Sequence, residues 1–118
     1  MKYTVNQLAT LSGITVRALR HYDAIGLLKP QINPSNGYRL YGESELRRLQ
    51  QILFFRELEF PLEDIKRIMA SPDFNADLAL QEQRKLLTLK KERLEKLVQT
   101  IDMTLKGCER MSTDDTFS

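Results

Sequence analysis

Apolar side chains recur at helical intervals through most of this chain, and the places where the interval fails mark out its elements. Val5, Leu8, Ala9 and Leu11 follow Thr4-Val5-Asn6-Gln7, a capping box in which Thr4 caps and Gln7 reaches back. Ser12-Gly13 stops that helix, and Thr15 caps a second one predicted from Val16 to about Ile25, with Gly26 as its terminator. Two short helices joined by a Gly-containing turn make a helix-turn-helix unit, although a plain helical hairpin has the same pattern. In 29–41 the period changes to two. Pro30 and Pro34 stiffen the entry, Asn36-Gly37 predicts a tight two-residue turn, and Tyr38-Arg39-Leu40-Tyr41 alternates, with Arg39 facing outward. A small hairpin directly after a helix-turn-helix is a wing.

Helical spacing then returns. A third helix is predicted from Glu43 to about Leu58, burying Leu46, Leu49, Ile52, Leu53 and one of Phe54 and Phe55. Pro61 opens a fourth through Ala70, with Leu62, Ile65, Ile68 and Met69 apolar. Ser71-Pro72-Asp73 breaks the pattern, because Pro72 disfavours a helical Ser71, and it is the best candidate boundary. Beyond it, residues 76–106 hold no Gly or Pro, and Leu80, Leu87, Leu94 and Ile101 recur every seventh position, widened by Leu97, Val98 and Leu105. That is a coiled-coil seam on a helix that cannot bury its stripe on itself. Gln83, Lys90 and Lys91 weaken its upstream half, so pairing should be tightest downstream. The expected organisation is a mainly α winged helix-turn-helix domain over 1–71, a long coiled-coil dimerisation helix over 75–107, and a flexible tail or truncated linker over 108–118.

Composition narrows the function. With 42% hydrophobic and 29% charged residues in 118, the chain has the balance of a soluble globular domain. Its longest apolar run, 52–55, is far short of the roughly 20 residues a bilayer crossing needs. No charged segment followed by an apolar one opens the chain, and a single cysteine excludes an internal disulfide framework, so a cytoplasmic setting is expected. The net charge of +2 conceals a division: residues 1–70 carry 10 Lys/Arg against 7 Asp/Glu, and residues 71–118 carry 8 against 9. The basic excess lies with the predicted helix-turn-helix and wing.

On the second helix, Leu19 with Val16, Tyr22 and Ile25 can bury one side, leaving Arg17, Arg20, His21 and Ala24 on another. Arginines so placed suit a major groove, where a guanidinium can donate two hydrogen bonds to guanine O6 and N7. Enzyme chemistry has no comparable support. The single His has no Cys near it in sequence, no Ser sits in a nucleophile elbow, no phosphate-binding Gly-rich run is present, and Glu63 and Asp64 read as helix-dipole partners. No cofactor is expected, nor a metal site, since one His and one Cys fall short of the three or four ligands such a site needs. The rival reading is a coiled-coil interaction adaptor whose basic residues are merely solvated.

In Thr15-Val16-Arg17-Ala18-Leu19-Arg20-His21-Tyr22-Asp23, Gly26-Leu27-Leu28, Asn36-Gly37-Tyr38-Arg39-Leu40-Tyr41, the stretch 46–53 and Pro61-Leu62-Glu63-Asp64-Ile65-Lys66, the chain resembles the MerR family of bacterial transcription regulators, nearest to the drug- and thiostrepton-responsive activators. The resemblance spans about residues 2–107. It implies a winged helix-turn-helix and a long helix pairing antiparallel with its counterpart in a homodimer. It also implies a double-stranded promoter with an overlong spacer, distorted so that RNA polymerase can use it. Carried over by position, it assigns base reading to Arg17 and Arg20, and backbone contacts to His21, Tyr22, Tyr38, Arg39 and, in a second wing, Arg56. His21 departs from the Tyr or Phe usual at its position.

Metal-sensing relatives carry cysteines around the long helix, where this chain offers Asp77, Leu78 and, after the helix, Cys108. Cys108 falls one heptad step beyond Ile101 and reads as a small apolar residue, a redox-sensing thiol being the alternative. Residues 111–118 resemble the start of the linker that leads to an effector domain in thiostrepton-responsive relatives. The expectation is therefore a DNA-binding portion of a longer activator.

Overall fold

A computed structural model describes residues 1–107. Five helices and one small hairpin follow in the order α1 (Val5–Ser12), α2 (Val16–Ala24), β1 (Gln31–Ile32), β2 (Arg39–Leu40), α3 (Glu43–Glu57), α4 (Leu62–Ala70) and α5 (Ala76–Gly107). Cys108 and the predicted tail lie outside the described residues. The chain divides into two compact units, Met1–Leu80 and the part from Gln81 on.

Local chemistry sets the first two helices. Thr4 Oγ1 accepts from the Gln7 amide at 3.2 Å while Gln7 Oε1 accepts from the Thr4 amide at 2.9 Å, which completes the predicted capping box. Gly13, at φ 73°, turns the chain out of α1. Thr15 Oγ1 then accepts from the Ala18 amide at 3.0 Å to start α2. The chain leaves α2 through one carbonyl: Tyr22 O accepts from the amides of both Leu27 (2.8 Å) and Leu28 (3.1 Å), which drives two leucines into the core.

The hairpin departs from the predicted tight turn. Gln31 pairs with Leu40 and Ile32 with Arg39, so the connection is longer than Asn36-Gly37 alone. Asn33 closes it, donating to Tyr38 O at 2.8 Å, and its side-chain oxygen accepts from the Ser35 amide at 2.8 Å. With Pro34 next, those bonds form a first bend at 33–36, and Gly37 at φ 72° completes the reversal. Asn36 instead accepts the Tyr38 amide on its own side chain at 3.0 Å. Tyr3 and Tyr41 exchange backbone hydrogen bonds, both 2.7 Å, which ties the chain's start to the hairpin.

Leu8, Leu19, Leu27, Leu28, Leu49, Ile52 and Ile65 are fully buried and form the centre of the head, with Phe55 rather than Phe54 as the inward aromatic of α3. Burying each such side chain contributes roughly 1.5–3 kcal/mol. Arg48 Nε donates to Leu27 O at 2.8 Å and fastens α3 to the turn after α2; burial lowers its guanidinium below its usual value. Ser71 is extended, as Pro72 requires, and Asn75 Oδ1 caps α5 by accepting from the Leu78 amide at 3.0 Å. The head nevertheless continues past that break: Gln51 donates to Ala76 O at 3.2 Å, and Phe74 and Ala79 pack on the core. α5 is one unbroken helix of 32 residues, about 48 Å long.

Glu59, in the loop from α3 to α4, is the one non-glycine at positive φ (67°) among the described residues. That conformation costs an L-residue about 1–2 kcal/mol, partly offset in a glycine by the greater entropy of its unfolded chain. Glu59→Gly is expected to stabilise the protein by about 0.5–1 kcal/mol, read as a higher midpoint in urea at unchanged slope.

Candidate nucleic-acid interface

α2 is anchored by Leu19 and by Tyr22, which is only 7% exposed, and this orientation turns Arg17, Arg20, His21 and Ala24 to solvent. Tyr22 is buried in the core, and His21 beside it is exposed. Among the described residues neither Arg17 nor Arg20 forms an ion pair. Both guanidiniums keep their full donor sets for an outside acceptor.

The wing is held from two directions. On one side Glu45 of α3 gathers three donors: the Gly42 amide (2.7 Å) and Gln31 Nε2 of β1 (3.0 Å) on Oε1, and Ser44 Oγ (2.9 Å) on Oε2. Lys2 also donates to Gln31 Oε1. Burial raises the Glu45 carboxyl, but those hydrogen bonds favour the ionised form more strongly and leave it below its ordinary value. On the other side Arg39 Nη1 reaches Asp23 Oδ2 of α2 at 2.8 Å. The predicted outward arginine is thus exposed yet tied to the helix beside it. Tyr38, 67% exposed, stands free of the core.

Asp23 also takes Lys29, whose ammonium donates to Oδ1 at 3.3 Å and to the Asp23 backbone oxygen at 3.1 Å. Arg20, Asp23, Lys29, Arg39 and Tyr41 line one open recess between α2 and the wing. It holds three cations around one carboxylate, a net positive site. Burial raises the Tyr41 hydroxyl above its ordinary value and Asp23 adds to the rise, while Arg39 and Arg20 oppose it. The structure therefore brings together Arg20 and Arg39 of the expected site. Arg17, His21, Tyr38 and Arg56 are exposed outside this recess, with Arg56 Nη1 donating to Phe60 O at 3.0 Å across the loop after α3. Sequence reasoning missed Asp23 and Lys29 as members: Asp23 meets a wing residue 16 positions away, a pairing no local pattern signals.

On α5, Leu94, Leu97, Val98, Ile101 and Leu105 are 47–64% exposed in the single chain. Leu80 is also exposed, and Leu87 is half-buried. Among the described residues no three His, Cys, Asp or Glu side chains gather as metal ligands would, and no helix is long and apolar enough to cross a membrane.

Comparison with known families places this architecture. Residues 3–72 match the model of the MerR HTH family regulatory proteins, and residues 46–107 match a second, described as MerR, DNA binding. The chain belongs to the MerR family. This MerR-family chain is 47% identical over 121 residues to the HTH-type transcriptional activator mta of Bacillus subtilis, covering 100% of itself and 47% of that protein. It is 52% identical over 113 residues to the HTH-type transcriptional regulator SkgA of Caulobacter vibrioides, covering 96% and 44%. It thus spans about half the length of those relatives. The crystal structure of SkgA from Caulobacter crescentus matches at a TM-score of 0.84 and 50% identity, over 100% of this chain and 87% of that one. HiNmlR, a MerR family regulator lacking the sensor domain and bound to promoter DNA, matches at 0.70 and 26%, over 90% and 85%.

The Glu45 cluster yields a pH test. A carboxyl held below its unfolded value stabilises the fold above that value, and the gain disappears as pH falls through the folded value. The stability advantage of wild type over Glu45→Gln should be fully present above pH 4.5, the ordinary value, and should shrink steadily below it in urea titrations at successive pH values.

Proposed function

We propose that this chain binds double-stranded promoter DNA as a homodimer and regulates transcription, with α2 in the major groove and the two wings on the flanking backbone. The observation that carries this reading is the placing of Arg20 of α2 and Arg39 of the wing on one net-positive recess, with Arg17 exposed and unpaired on the same helix. On this reading Arg17 and Arg20 read base edges, which a guanidinium can do through two parallel hydrogen bonds. Arg39 and Arg56 engage phosphates as charge-assisted donors, and His21 and Tyr38 add polar or stacking contacts at the backbone. Tyr22 fixes the orientation of α2 through its buried ring and contacts the backbone through its hydroxyl. A relative of the same fold bound to promoter DNA supports the reading, as do relatives named activators and regulators.

The exposed stripe of α5 supports the homodimer. A second copy would cover Leu94, Leu97, Val98, Ile101 and Leu105, and pairing would extend upstream through Leu87 and Leu80. Two heads joined through stiff helices fix the distance between half-sites, so the duplex bends or untwists to meet them. RNA polymerase then finds its promoter elements realigned. The setting is the cytoplasm, the role is regulatory rather than catalytic, and neither cofactor nor metal takes part. The domain assignment follows the same logic: residues 1–71 bind and residues 75–107 pair.

Two measurements test this. Arg17→Ala or Arg20→Ala should cost about 1–3 kcal/mol on a duplex selected from a randomised pool and relax preference at one position. Arg39→Ala or Arg56→Ala should weaken all duplexes alike and shallow the salt slope by up to about one unit. An adaptor would bind no duplex with a salt slope at all. Leu94→Glu would bury an unpaired charge in the seam at a cost of several kcal/mol. Sedimentation should report a dimer for wild type at micromolar concentration and a monomer for the variant.

A further inference from the structure

We propose that Asp23 is a positioning residue for DNA binding: it holds the Arg39 guanidinium of the wing beside α2, oriented to donate to a phosphate that also meets Lys29. The inference rests on the DNA-binding reading above and goes beyond it by giving an acidic residue a constructive part in binding a polyanion.

The geometry carries it. Asp23 sits at the end of α2 with a side chain only 19% exposed, and it divides its carboxylate between two cations. Oδ2 takes Arg39 Nη1 at 2.8 Å and Oδ1 takes Lys29 at 3.3 Å, with Lys29 further fixed by the Asp23 backbone oxygen. A guanidinium carries five donors in one plane. The contact to Asp23 uses Nη1 alone and leaves the remaining donors unspent. A lysine in its place would present a point charge with no such fork. The recess that Asp23, Lys29, Arg39 and Arg20 line is open, so a phosphate oxygen can enter it. One negative charge among three positive ones reduces their mutual repulsion in the free protein and leaves the site net positive. Asp23 therefore links the base-reading helix to the wing: a shift of either moves the other's charge.

A simple electrostatic view predicts the opposite sign. A carboxylate near DNA repels it, so removing the charge should tighten binding. The test uses the full chain with a fluorescent duplex selected from a randomised pool, titrated at several salt concentrations, for wild type, Asp23→Asn, Arg39→Ala and the double variant. Positioning predicts that Asp23→Asn weakens binding about tenfold and shallows the salt slope by up to about one unit. It also predicts little further loss when Asp23→Asn is added to Arg39→Ala. Tighter or unchanged binding by Asp23→Asn, or an equal loss in both backgrounds, overturns the proposal while leaving wild-type DNA binding intact. A wild type that binds no duplex removes the underlying reading, and the positioning role with it. Should Asp23→Asn fail to fold, Arg39→Lys decides. It keeps the charge but loses the fork, so positioning predicts a loss as large as that of Arg39→Ala, and wild-type affinity overturns the proposal.

Discussion

The backbone oxygen of Tyr22 is the point on which the head's geometry turns. By accepting from both Leu27 and Leu28 it ends α2 in a tight return that buries two leucines in the core they share with Leu49, Ile52 and Ile65. Arg48 then donates to the carbonyl of Leu27, so the turn after α2 is fastened to α3 as well as packed on it. A partly buried arginine is costly unless its donors are met, and the Leu27 carbonyl meets one of them. With Leu19 and the Tyr22 ring also inside, α2 has no freedom to roll. Its solvent face must then be Arg17, Arg20, His21 and Ala24.

That fixed helix is the floor on which the wing is set. A two-residue strand pair is far below what stands alone in water, so the hairpin depends on neighbours. Tyr3 extends it by one bridge, Glu45 holds Gln31 from α3, and Asp23 holds Arg39 from α2. Charged groups here serve geometry as much as attraction. Exposed ion pairs add little stability, commonly 0–1 kcal/mol, so Asp23 and its partners are better understood as fixing where cations stand. The weak basic balance of the whole chain is no guide to this. What matters is that two α2 arginines lack acidic partners while Asp23 collects two cations at the helix end.

Legibility in the sequence followed range. The Thr4 and Thr15 caps, the stop at Gly13, the α3 stripe and the Ser71-Pro72 break are each written within a few residues, and each stands where periodicity and capping place it. The wing turn failed because two turn signals competed within five residues. Asn36-Gly37 suits a tight reversal, yet Asn33 and Pro34 impose a bend earlier, and the strand register follows the earlier one. Tyr22 was legible as a helix residue but ambiguous in role, since an aromatic with a polar tip suits both core and phosphate; the fold buries it in the core. The contacts from Asp23 to Arg39 and from Arg48 to Leu27 join residues 16 and 21 positions apart. Only the folded head brings them together, and nothing in spacing announces them.

The same distinction bears on how a protein of this build could act on a promoter. Bending a duplex of 20–30 base pairs through 40–90° costs of order 1–6 kcal/mol. A charged hydrogen bond contributes about 1.5–3 kcal/mol, so a few well-placed phosphate contacts on each side of the centre balance the bend. They do so only if they cannot yield to the duplex instead. A flexible cation follows the phosphate to wherever straight DNA leaves it, whereas a cation fixed to the protein obliges the phosphate to move. In the proposed complex, Arg39 fastened to Asp23 and Arg56 fastened across its own loop are cations of the second kind. The work of deforming DNA therefore falls on the hydrogen bonds that hold these arginines to the head, and their strength limits how far the duplex can be driven.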